Sequence, residues 1–148
     1  MKISVQHEDF DLAAEVDAIR EDPKVGAVAS FVGQVREVPM ALEHYPGMTE
    51  RAIRTIVDEA RTRWQVMDCT VIHRYGALQP KDQIVLVAVA SAHRGDAFAA
   101  CEFIMDFLKT RAPFWKKEET AAGARWVEAR SSDDAAAERW DGPARKTG

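Results

Sequence analysis

The chain predicts a single α+β domain with a mixed, mostly antiparallel sheet and three main helices. Three observations carry that expectation. Helical apolar stripes and strand-like segments alternate in the order βαββαββαββ, with no internal repeat and no linker between them. One segment, residues 84–92, is almost wholly apolar, as a strand covered on both faces must be. At 148 residues the chain suits one domain with a substantial core. That domain is expected over residues 1–140, with residues 141–148 a loose tail.

The elements follow in order. Residues 3–6 read as a short strand. Asp9 or Asp11 can cap a first helix carrying Leu12, Ala13, Val16 and Ile19 until Pro23 stops it. Residues 25–36 are rich in β-branched and small side chains and predict a long strand, in which Gly26 and Gly33 mark a bulge or a close approach. Residues 42–45 are its expected partner strand, ending in the turn residues Pro46 and Gly47. A helix follows over residues 49–64, where Ile53, Ile56, Val57, Ala60 and Trp64 form one apolar stripe and the Glu50/Arg54 and Glu59/Arg63 pairs support the wet face. Residues 69–75 alternate as a strand containing His73, which reads as structural, and residues 76–82 read as a turn.

After the apolar strand, Asp96 can cap a third helix reaching about Lys109, with Ala97, Phe98, Cys101, Ile104, Met105 and Leu108 turned inward. Two late strands, residues 114–119 and 125–130, flank a small-residue connection containing Gly123 that suits a hairpin. A short helix is expected around residues 134–140.

Composition removes several classes of function. A net charge of -4 argues against nucleic-acid binding driven by bulk charge, although a local basic pocket can still take a small anion. The first nine residues lack the apolar stretch of a signal peptide, and no run approaches the roughly 20 apolar residues of a membrane span. A cytoplasmic protein with no membrane partner is the expectation. Cys69 and Cys101 lack any paired spacing, so reduced core thiols are expected rather than a metal site. No Ser/His/acid set, phosphate loop or metal-spaced ligand cluster is present.

The densest chemistry lies between Lys109 and Lys116, which enclose Arg111, Pro113, Phe114 and Trp115. Pro113 cannot continue a helix, so Lys109 belongs to a helix end and Lys116 to the strand that leaves it. A lysine in the last turn of a helix is favoured by the dipole and usually points into water. It becomes reactive when burial or neighbouring cations disfavour its charge, and Arg111, Lys116 and Lys117 are such neighbours. His93 and Arg94 stand where the apolar strand hands over to a helix, a place whose free N–H groups attract anions; His93 can equally cap or pack there. Arg36 and Arg130 end their strands and are candidate anion contacts or solvated charges. Phe31 and Met105 are core residues or the wall of an apolar pocket.

These residues fall in a larger pattern. It comprises Phe31-Val-Gly-Gln-Val-Arg36, Leu42-Glu-His-Tyr-Pro-Gly-Met-Thr-Glu50, Val71-Ile-His-Arg74, Ser91-Ala-His-Arg94, the block from Phe103 through Lys109-Thr-Arg-Ala-Pro-Phe-Trp-Lys116, and Trp126-Val-Glu-Ala-Arg130. Together they closely resemble the large, catalytic subunit family of molybdopterin synthase. The resemblance implies an α/β hammerhead-like fold and a homodimer of large subunits. Each would dock a small ubiquitin-like sulfur carrier whose C-terminal glycine thiocarboxylate enters the pocket. The implied reaction moves two sulfurs to cyclic pyranopterin monophosphate and yields molybdopterin, with no metal and no permanently bound cofactor in this subunit.

Carried over position by position, Lys109 and Lys116 match the family's active-site lysines. Arg36, His93, Arg94 and Arg130 match its anion-handling residues, Arg130 reaching the other protomer's pocket. Gln34, Val35, Lys117 and Glu118 fall in substrate-contacting stretches, and Phe31 and Met105 match apolar pocket positions. Family members usually carry a longer polar loop after the residue matching Arg36; here only residues 37–41 intervene before the Leu-Glu-His-Tyr strand. A non-catalytic paralogue that holds a ubiquitin-like partner as a scaffold is the alternative. The complete set of anion-binding residues favours the enzyme.

Overall fold

The computed structural model describes residues 1–120, 123–127, 136–138 and 140. It has eight strands and three helices: β1 (Lys2–Gln6), α1 (Leu12–Ile19), β2 (Ala27–Gln34), β3 (Met40–His44), α2 (Met48–Arg63), β4 (Asp68–Arg74), β5 (Gly76–Leu78), β6 (Gln83–Ser91), α3 (Arg94–Thr110), β7 (Phe114–Thr120) and β8 (Gly123–Val127). The strands form two four-stranded sheets, ordered β1-β4-β6-β2 and β5-β3-β7-β8. β1 and β4 run parallel; every other pair is antiparallel.

The first sheet explains the apolar run in β6. Alternate residues Val85, Val87 and Val89 face α2 and α3, while Leu86, Ala88 and Ala90 face the α1 side with Phe10, Ile19 and Ile72. Both faces are covered, so period-two polarity vanishes. α1 starts at Asp11, whose carboxylate accepts from the Ala14 N–H at 3.2 Å.

Four expectations need correction. β3 does not pair with β2: the chain turns out of the first sheet at Glu37, whose φ is 71°, and β3 lies between β5 and β7. Residues 76–78, read as a turn, form β5. Asp96 does not cap α3; its carboxylate accepts from the Gln65 N–H at 3.1 Å, and His93 is the capping residue, through backbone only. Phe98 is not inward but 64% exposed, because β2 is the edge of its sheet and none of the described residues beyond it covers that row of α3.

The segment around Trp140 returns to the core. Residues 136–138 are helical, and Trp140 packs edge-on against Trp64 and Phe103 while its Nε1 donates to Asp106 Oδ2 at 2.5 Å. Residues 141–148, read as a tail, lie outside the described residues. Among those described, no helix is long and apolar enough to cross a membrane.

Candidate active site

The site begins with a corner. α3 ends at Thr110, Pro113 bars its continuation, and the Phe114 N–H bonds back to the Ala112 carbonyl at 2.8 Å before β7 departs. Lys109, exposed in the last helical turn, and Lys116, half-buried on β7, flank this corner. Thr49, fully buried at the start of α2, pins it: its hydroxyl bonds the Pro113 carbonyl at 3.5 Å and accepts from the Tyr45 N–H at 3.0 Å. The start of α2 is itself fixed by Gly47, at φ 82°, whose N–H donates to Glu50 at 2.5 Å.

Arg111 does not serve as the neighbouring cation anticipated from the sequence. Its guanidinium lies over the Phe107 ring at 3.9 Å and pairs with Glu59 on α2 at 3.1 Å. The aromatic pair also divides. Trp115 meets Tyr45, with ring centres 4.5 Å apart, whereas Phe114 packs against the core.

Beneath the corner lies His73. It ends the inward-facing row Cys69, Val71, His73 of β4, and its ring stacks on Phe114 at 3.7 Å and 18°. Burial, with further contributions from the charges of Lys109, Lys116 and His44, pushes His73 down to about 4 against an ordinary 6.5. The charges of both lysines thus disfavour a proton on this one buried ring. His44 follows, 6.2 Å from Phe114 and 4.5 Å from Tyr75, and its buried Nδ1 has no hydrogen-bond partner among the described residues; nor has the Thr110 hydroxyl. His73, His44 and Thr49 were not singled out from sequence as site residues. A histidine closing an otherwise apolar inward row was the available signal.

The end of β2 reaches the same region. Val35 is buried with Met40 and Leu42, and Leu42 is the cross-strand partner of Lys116. Val35 is held at both backbone groups by the turn at Lys81 and Asp82, each bond 2.9 Å, which leaves Gln34 and Arg36 exposed on either side. Lys117 and Glu118 pair by backbone with Ala41 and Met40; their side chains, and all of Arg130, lie outside the described residues.

His93 and Arg94 stand elsewhere. Ala27 pairs with Ser91 at one end of the β2–β6 ladder and Gln34 with Gln83 at the other, a separation of roughly 23 Å at about 3.3 Å per residue. α3 runs back along this ladder, so Lys109 shares the Gln34 end while exposed His93 and Arg94 mark the opposite one. Between the ends, Phe31, Phe98, Cys101 and Met105 line an open apolar groove of about 480 Å³ between β2 and α3. Phe31 and Met105 thus line one groove, from β2 and α3 respectively. Among the described residues, no group of three or more His, Cys, Asp or Glu could hold a metal ion.

One end of the molecule can therefore present two amines and a guanidinium, and the other a helix N-terminus with an imidazole and a guanidinium. Both suit anions. Comparison with known proteins adds a context. The family model described as "MoaE protein" matches residues 5–111. A molybdopterin synthase catalytic subunit from Ralstonia nicotianae is 62% identical over 146 residues, covering 93% of this chain and 83% of the relative. The structure of a molybdopterin biosynthesis MoaE protein from Burkholderia ambifaria superposes with a TM-score of 0.84 at 60% identity, covering 95% of this chain and 99% of that one. A complex of subunits 1 and 2 of molybdopterin-converting factor from Helicobacter pylori shares the fold, with a TM-score of 0.72 at 19% identity over 87% of this chain and 92% of that one.

Proposed function

The chain belongs to the MoaE protein family, and on that premise we propose that it is the catalytic subunit of a molybdopterin synthase. It moves sulfur from the thiocarboxylated C-terminal glycine of a small ubiquitin-like carrier to cyclic pyranopterin monophosphate in the cytoplasm. In each round the carrier's sulfur displaces an oxygen of the pterin side chain, a carbon–sulfur bond forming as a carbon–oxygen bond breaks, and water then hydrolyses the acyl–sulfur bond and returns the carrier as its carboxylate. Two rounds give the dithiolene of molybdopterin, and no cofactor is held permanently.

The observation that carries this reading is the braced corner at Pro113, which joins the helix end bearing Lys109 to the strand bearing Lys116. Lys109 stabilises the negative charge that develops as sulfur attacks and exchanges protons with the intermediate. Lys116 assists proton transfer and holds the intermediate. Arg36 takes the phosphate through paired hydrogen bonds, with Gln34, Val35, Lys117 and Glu118 alongside. The apolar wall of Phe31 and Met105 faces the pterin.

A second copy completes the pocket. His93 and Arg94 are too far along β2 to touch a substrate held at Lys109, so the partner protomer supplies them, with Arg130. Two copies facing each other in antiparallel fashion across the β2–α3 groove bring each His93–Arg94 end to the other's lysine corner, and cover Phe98. The carrier is a separate small subunit, as in the two-subunit Helicobacter complex of the same fold.

The test incubates the purified chain with cyclic pyranopterin monophosphate and thiocarboxylated carrier, and follows dithiolene pterin as its fluorescent oxidation product. Product is expected, and Lys109→Ala should lower its rate by about a hundredfold or more. No product with a competent carrier sinks the reading; full product from Lys109→Ala sinks the role of that lysine.

A further inference from the structure

We infer that His73 is a positioning residue of the lysine corner, a buried imidazole that braces Phe114 and thereby sets where Lys109 and Lys116 stand. This rests on the reading of that corner as the sulfur-transfer site.

Three observations converge on the ring. His73 is 8% exposed at the end of a row whose other members, Cys69 and Val71, are apolar, so a leucine or phenylalanine there would spare the cost of burying a polar ring. Its orientation is fixed, because Nδ1 lies 2.9 Å from the Arg74 carbonyl. A carbonyl only accepts, so Nδ1 carries the proton and Nε2 keeps its lone pair. The ring plane then lies against Phe114, the first residue after Pro113 and two before Lys116. Aromatic stacking adds to the burial that already holds this strand to the first sheet.

The groups around the ring come from every neighbouring element. The charges of Lys109 on α3, Lys116 on β7 and His44 on β3 all disfavour a proton on the ring, while the Arg74 side chain on β4 is turned away to the carbonyls of His7 and Gln83. Burial and these charges hold the ring neutral, so no third cation stands under the two lysines. Thr49 restrains the corner from the α2 side and His73 from the sheet side. The two contacts thus tie Pro113 and Phe114, the link between helix end and strand start, to two different elements.

Two variants separate positioning from packing. His73→Phe keeps a flat neutral ring on Phe114; His73→Leu fills the space without a stack. With kinetics normalised to folded protein, His73→Leu should lower kcat about tenfold while moving the KM for the pterin less than about twofold, and His73→Phe should restore kcat to within about threefold of wild type. Equal kcat in all three proteins overturns the inference, as does an equal loss in both variants.

A second measurement needs no turnover. Lysines labelled by reductive ¹³C-methylation are followed by NMR, and the Lys109 and Lys116 signals should move in His73→Leu and hold in His73→Phe. Signals unmoved in both variants overturn the inference. A wild-type chain that makes no product refutes the functional reading instead, and the NMR result then decides the role of His73.

Discussion

His73 makes the protein's stability depend on pH in a defined window. Its folded value of about 4 lies below the ordinary 6.5, so between those limits the unfolded chain binds a proton that the folded chain refuses. Stability is then full above pH 6.5 and falls as the pH drops toward 4, with about 2 kcal/mol lost between pH 7 and pH 5. Urea unfolding at those two pH values should show that loss in wild type, and His73→Phe should show a loss smaller by about the same amount. The thiols behave differently. Burial pushes Cys69 and Cys101 up to about 12, so neither should react with iodoacetamide until the protein is denatured, as mass spectrometry of labelled protein can check. That these cysteines are reduced core residues was legible in their lack of paired spacing. The role of His73 was not, because its meaning depends on Phe114, which stacks on it only in the fold.

At the scale of elements, the sequence revealed what lies within one segment and concealed what passes between segments. The stripe of α2 and the unbroken apolar run of β6 are periodicities, and both were readable. Phe98 was misplaced because periodicity names a face of α3 without saying how far its partner sheet extends; β2 ends that sheet one row too soon. The partner of β3 was misplaced because the turn at Glu37 leaves the first sheet, and β7 arrives only after two helices. The last described segment offers a test of such distant packing. Trp140 is 4% exposed against Trp64 and Phe103, its indole N–H is satisfied by Asp106, and the Arg63 guanidinium bonds its carbonyl at 2.8 Å. Trp140→Ala should cost about 3–5 kcal/mol in chemical denaturation, since it opens a cavity and strands a carboxylate. Phe98→Ser should cost the protomer little, because the ring has no core to leave.

The candidate site as a whole was legible as a set of residues and not as a place. Lys109, Lys116, Arg36, His93 and Arg94 all stood out by type and by position at the ends of elements, but only the register of β2 against β6 shows that they occupy two ends of one ladder. If a twofold pair shares them, each pocket takes its lysines from one protomer and its His93–Arg94 pair from the other. Lys109→Ala and Arg94→Ala should then each abolish product formation alone, yet complement when mixed. In a mixed dimer one pocket carries both defects and the other carries neither. Random association makes about half of the dimers mixed, so about a quarter of the wild-type activity should return after co-refolding equal amounts. The same preparation offers a control, since Phe98→Glu placed in both chains puts a charge into the apolar groove and should block both dimer formation, seen by sedimentation, and complementation. Full-length mixed dimers that sediment normally and still make no product would mean that His93 and Arg94 do not serve the neighbouring lysine corner.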